Sequence, residues 1–162
     1  MKIPLRQKKL LSITVIIGLI IFILQYYKIF DSKILDIITL FYLIGIPVYL
    51  LTHDTLIDLN DDGIFTFWLI IGIIFWGIYF AVMNMDYKWA GGLRGLLCFL
   101  LVYQILNNIM KKTKGRCLLN TYYQMTWKNN STGEKITALD VFFNFILIAV
   151  ILFSVLFEII IK

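Results

Sequence analysis

The stretch Ile64–Met83, IFTFWLIIGIIFWGIYFAVM, decides the fold, because none of its residues carries a charge. An apolar run of about 18 or more residues is long enough to cross a bilayer as a helix. In lipid, every backbone N–H and C=O must be satisfied inside the segment. A helix does this and an isolated strand does not. The many β-branched residues, which would favour strands in water, therefore do not argue for strands here. Barrel strands would alternate in polarity over about ten residues, whereas this run is apolar on all sides.

Working outward, four further segments read the same way. The expected architecture is an all-α transmembrane bundle of about five spans, at 10–27, 37–52, 64–83, 90–110 and 139–161. The second is the shortest and contains Pro47. Arg94 interrupts the start of the fourth; Asp140 opens the fifth and Glu158 lies near its end. The whole chain, 1–162, reads as one integral membrane domain, with a basic loop at about 111–138.

Composition agrees. Hydrophobic residues make up 60% and charged residues 15%, against about 45–50% and 25% in soluble domains. This excludes a disordered chain, a collagen-like fibre and an ordinary soluble enzyme. Two cysteines exclude a disulfide scaffold. Cys98 and Cys117 would stand about 28 Å apart along a helix, too far for a disulfide between them.

The net charge of +5 reads as a topology signal and not as a nucleic-acid footprint. Lysine and arginine concentrate in cytoplasmic segments. Lys2, Arg6, Lys8 and Lys9 precede the first span, and Lys111, Lys112, Lys114, Arg116, Lys128 and Lys135 lie between the fourth and fifth. With five crossings these ten share one side, against five on the other. The N-terminus is then cytoplasmic and the lysines face anionic lipid headgroups. The first span reads as an uncleaved anchor, since no small-residue cleavage site follows it. If the second segment were a re-entrant hairpin, the chain would cross four times.

Asp58-Leu59-Asn60-Asp61-Asp62-Gly63 matches the first half of a calcium loop. The twelfth position, which should be a bidentate Glu, is Leu69. Asp61 and Asp62 therefore read as caps on the third span. His53, the only histidine, reads as an interfacial polar residue. No catalytic, cofactor-binding or metal-binding constellation is visible. Tyr122–Trp127 reads as an amphipathic aromatic stretch lying on the membrane surface.

Polar groups within the spans are the candidate site, because such groups are costly in lipid and face the protein interior. Gln104, Asn107, Asn108 and Lys111 follow helical spacing on one face of the fourth span. Asp140 and Asn144 form an i, i+4 pair on the fifth, and the two faces are expected to meet. At the opposite end, Arg94 and Glu158 are expected to pair or to share a cavity, with Gly91 and Gly95 allowing close helix approach.

Residues 103–136, YQILNNIMKKTKGRCLLNTYYQMTWKNNSTGEKI, resemble the segment after a transmembrane helix in RDD-family membrane proteins. Thr113, Gly115, Arg116, Leu118, Thr121, Gly133 and Lys135 carry the resemblance. It implies a bacterial inner-membrane protein, with transport or ion exchange suggested for some members. The family's helical Arg and paired Asp have at best a partial counterpart in Asp36, so no functional residue is carried over.

The expected function is that of a small bacterial inner-membrane protein with a structural, accessory or partner-binding role. It would associate with membrane lipids and with further copies of itself or another membrane protein. The alternative is a small oligomeric transporter or ion-exchange protein.

Overall fold

The computed structural model describes residues 5–27, 32–52, 55–82, 89–119, 121 and 135–161. These form five long helices and one short one: α1 Leu5–Tyr26, α2 Ser32–Thr52, α3 Thr55–Asp58, α4 Asp62–Val82, α5 Gly92–Lys114 and α6 Ala138–Ile161.

The long helices coincide with the five expected segments, but several ends move. Helix α1 begins at Leu5, not at residue 10. Lysine and glutamine are good helix formers, so its polar first turns continue the helix that the apolar run dictates. Helix α5 runs on through Lys111, Lys112 and Lys114 for the same reason. It stops at Gly115, whose φ of 67° is left-handed and whose N–H donates to Lys111 O at 3.1 Å. Glycine adopts that conformation without a Cβ penalty. Helix α4 is capped as expected: Asp61 Oδ1 accepts from the N–H groups of Gly63 at 2.9 Å and Ile64 at 3.1 Å.

Helix α2 is continuous over 21 residues despite Pro47. It spans about 31 Å at 1.5 Å per residue, which matches a hydrocarbon core of about 30 Å. The helix has no reversal, so the re-entrant hairpin is set aside. Four stretches are long and apolar enough to cross a membrane: Lys33–Leu51, Asp62–Ala81, Gly92–Lys114 and Ala138–Phe157. Helix α1 adds 22 residues with Ile13, Ile16 and Ile20 exposed. Exposed Ile73 and Ile74 on α4, and Phe145 and Phe153 on α6, continue this apolar exterior. In water so large an apolar surface would drive association; in lipid it is an ordinary exterior. The architecture is that of a multi-pass helical membrane bundle.

Helix α5 is the centre. It packs against α2, α4 and α6, while α1 packs on α2. Successive long helices alternate in direction. Gln7 at the start of α1 meets Trp68 near the start of α4, and Gly95 near the start of α5 faces Ser154 near the end of α6. A β-carbon on Gly95 would lie 3.0 Å from Ser154 Oγ, so this glycine lets α5 and α6 approach closely here. The alternation places exposed Lys8, Lys9, Lys111, Lys112, Lys114 and Lys135 at one end of the bundle.

The core is displaced toward that lysine-rich end. Leu50, Leu56, Trp68, Tyr103, Met110 and Leu118 are fully buried there. Helix α3 and the chain after α5 fold in among the helix ends and supply Leu56, Leu59 and Leu118 to the core. A smaller cluster of Leu43, Trp89 and Leu93 closes the other end.

Candidate functional site

At the lysine-rich end, the start of α6 is built by Thr137-Ala138-Leu139-Asp140. Thr137 N–H and Oγ1 donate to Asp140 Oδ2 at 2.8 and 2.6 Å, and Asp140 N–H reaches back to Thr137 Oγ1 at 3.4 Å. This is a capping box with aspartate in the third position, and the carboxylate also suits the positive end of the helix dipole.

The same carboxylate holds Arg116. Nη1 donates to Oδ1 at 3.0 Å and Nη2 to Oδ2 at 2.7 Å. The fork is bidentate, the geometry in which arginine and carboxylate bind most strongly. Asp140 is fully buried, while the Arg116 side chain keeps 16% exposure. The guanidinium also donates to Cys117 O at 3.0 Å and Lys135 O at 3.2 Å. It therefore clasps the base of the basic loop, touching the backbone where the loop leaves α5 and where it returns to α6.

Leu118 and Leu119 are held by their backbone groups. Leu118 N–H donates to Asn107 Oδ1 at 2.9 Å, and Leu119 N–H to Asp140 Oδ1 at 3.2 Å. Leu119 O accepts from Asn144 Nδ2 at 2.8 Å, and the same nitrogen donates to Asp140 O at 2.7 Å. Asn107 and Asn144 are each 1% exposed. Asn144 Oδ1 is buried with no hydrogen-bond partner among the described residues.

Two further links tie the acidic segment in. Asn107 Nδ2 donates to Asn60 Oδ1 at 2.6 Å, and Tyr103 Oη donates to Leu56 O at 3.0 Å. Gln7 bridges α1 to the rest: its Nε2 donates to Asp58 Oδ2 at 2.9 Å, and its Oε1 accepts from Trp68 Nε1 at 3.0 Å. Asp58 and Asn60 thus serve separate contacts, and no cluster of three or more metal-ligating residues occurs among the described residues.

The sequence-derived candidates separate. Asn107, Asp140 and Asn144 enter the clasp. Residues 118–119 bond to both helix faces, to Asn107 on α5 and to Asp140 and Asn144 on α6. Gln104 is half-buried, and Asn108 and Lys111 are exposed. The buried stripe of α5 runs through Phe99, Tyr103, Leu106, Asn107 and Met110, and Asn108 is turned a further 100° away from it. At the other end, Arg94 Nη2 donates to Ser154 O at 3.2 Å, and its guanidinium lies 4.7 Å from the Tyr79 ring centre. The side chain of Glu158, His53 and Tyr122–Trp127 lie outside the described residues. Cys98 and Cys117 are free thiols.

Arg116, Thr137, Gln7 and Tyr103 were not among the candidates. The Thr-x-x-Asp signature at 137–140, directly before an apolar run, was a legible cue. Arg116 and Gln7 carried no such signal, because their partners lie 24 and 51 residues away.

The class defined by fold and site is therefore a multi-pass helical membrane protein whose loop base is clasped by a half-buried Arg116 on a buried Asp140. No protein-family model matches the chain, and no curated protein or solved structure matches it.

Proposed function

We propose that this is a bacterial inner-membrane protein, cytoplasmic at its N-terminus, with an accessory role in which it presents its clasped basic loop and apolar exterior to a partner membrane protein. One observation carries the reading. The polar groups at the edge of the bundle that a transport pathway would use, Asn107, Asp140 and Asn144, are sealed from solvent and hold backbone atoms of residues 118–119. Intramembrane polar residues that serve a path line a water-filled cavity, whereas these fasten one chain segment. The sidedness is supported by the lysines gathered at the clasp end.

The test places a photo-crosslinking residue at Ile73 on α4 or at Lys135 in native membranes, and measures ion flux in proteoliposomes. The expected result is one adduct of fixed mass from each position and flux equal to that of empty vesicles. Flux above that background, lost on Asp140→Asn, would refute the accessory reading in favour of transport.

A further inference from the structure

Helices α4 and α5 share one outward surface. Gly72 on α4 abuts Leu97 on α5, and the Phe65 ring lies 6.4 Å from the Tyr103 ring. At about 100° per residue, Asp62 and Ile73 turn to one side of Gly72, away from buried Ile64 and Trp68. Asn108, Lys112, Leu101 and Ile105 turn to the matching side of Leu97, away from buried Leu96 and Leu100. These six residues are all exposed, and half-buried Gln104 lies at the seam between the helices.

The edge of this surface at the lysine-rich end is polar. Gln104, Asn108 and Lys112 stand at i, i+4 and i+8 on α5. The Phe65–Tyr103 contact sets the start of α4, with Asp62, beside them. Among the described residues none of these four side chains has a hydrogen-bond or ion-pair partner. The edge thus offers one acid, one base and two amides, and each amide both donates and accepts. Polar groups on membrane helices find such partners on neighbouring helices.

The pattern is complementary to itself. Two copies inserted the same way in one membrane are related by a two-fold axis along its normal. A contact through this surface then lays α4 of each copy against α5 of the other. Asp62 meets Lys112 of the second copy, and Lys112 meets Asp62 of the second copy. The amides meet their counterparts, and deeper in the membrane Leu101, Ile105 and Ile73 pack across. An anionic lipid headgroup suits Lys112 and is repelled by Asp62, so charge favours a second copy over lipid.

We propose that the outward face of α4 and α5 is the interface of a symmetric dimer of this chain, with Asp62 and Lys112 pairing across it. The dimer needs this chain alone and does not rest on the accessory role.

The test is energy transfer between donor- and acceptor-labelled copies of the purified protein in phosphatidylcholine vesicles, followed as added lipid dilutes them. The signal is expected to fall with dilution as a dimer dissociates. Lys112→Asp or Asp62→Lys alone should weaken the dimer about tenfold, because symmetry breaks two surface pairs at once. The two together restore the pairs in the opposite sense and should bring the midpoint back to within about twofold. Gln104→Leu combined with Asn108→Leu should weaken it by about the same tenfold factor. Circular dichroism checks that each variant is folded. Where a reversal does not fold, Asp62→Asn and Lys112→Gln replace it, and their effects should not add. A chain that is monomeric at every dilution, a single reversal without effect, or a double variant that sums the two losses would overturn the proposal.

Discussion

Replacing Asp140 with asparagine keeps the shape of the side chain and removes its charge. Oδ1 accepts from Arg116 Nη1 and Leu119 N–H, and Oδ2 accepts from Arg116 Nη2, Thr137 N–H and Thr137 Oγ1. An amide has one acceptor oxygen. In its better orientation it keeps the Oδ2 contacts and turns an NH2 toward Arg116 Nη1 and Leu119 N–H. Two bonds are lost, both of them to the charged carboxylate, and donors then face donors. A bond to a charged group contributes about 1.5–3 kcal/mol and a neutral one about 1 kcal/mol. Arg116 keeps some access to water, which tempers the cost of leaving it unpaired. The expected destabilisation is about 3 kcal/mol. It would be read from denaturant unfolding of the detergent-purified protein followed by circular dichroism. Paired with Arg116→Gln in a double-mutant cycle, the coupling should be about 2 kcal/mol. Hydrogen exchange at the Leu119 amide should accelerate together with the loss of stability. A destabilisation under about 0.5 kcal/mol, or strict additivity of the two substitutions, would refute the clasp as a source of stability.

Asn107→Leu leaves the buried Leu118 N–H without its acceptor and removes a donor from Asn60; a loss of about 2 kcal/mol is expected in the same unfolding assay. Trp68→Phe deprives buried Gln7 of its indole donor and should cost about 1 kcal/mol, with no added cost when Gln7→Leu is already present. Gly72→Ala would set a β-carbon 3.3 Å from Leu97 Cα, whereas Gly77→Ala meets nothing within 4 Å. The first should destabilise by about 1–2 kcal/mol through backbone displacement and the second should be neutral, a contrast that thermal unfolding resolves. In a cysteine-free background, Lys112→Cys should resist a membrane-impermeant maleimide in intact spheroplasts and react after permeabilisation; labelling in intact spheroplasts would reverse the proposed orientation.

The helices were legible because a charge-free run such as Ile64–Met83 admits one structure in lipid. Their ends were less so. Hydropathy marks where a segment becomes apolar, but Lys8, Lys9, Lys111 and Lys112 are helical and polar, and helicity carries through them. The clasp was half legible. Asp140 and Asn144 stand out as polar groups at the head of an apolar span, and Asn107 as one on another. Arg116 did not stand out, because in the sequence it is one of six basic residues between two spans. Only the left-handed turn at Gly115 and the insertion of Leu118 between helices bring its guanidinium to a carboxylate. The spacing on α5 also misled for Asn108 and Lys111: it groups residues on one face without saying which face packs inward.

The clasp also orders assembly in time. Arg116 precedes its carboxylate by 24 residues, and that carboxylate belongs to the capping box that starts the last helix. During synthesis the segment after α5 lacks the Asp140 carboxylate until α6 has emerged and begun to wind. Docking of that segment is therefore completed by the final helix, and a chain stopped before α6 would lack the carboxylate that takes the bidentate fork of Arg116.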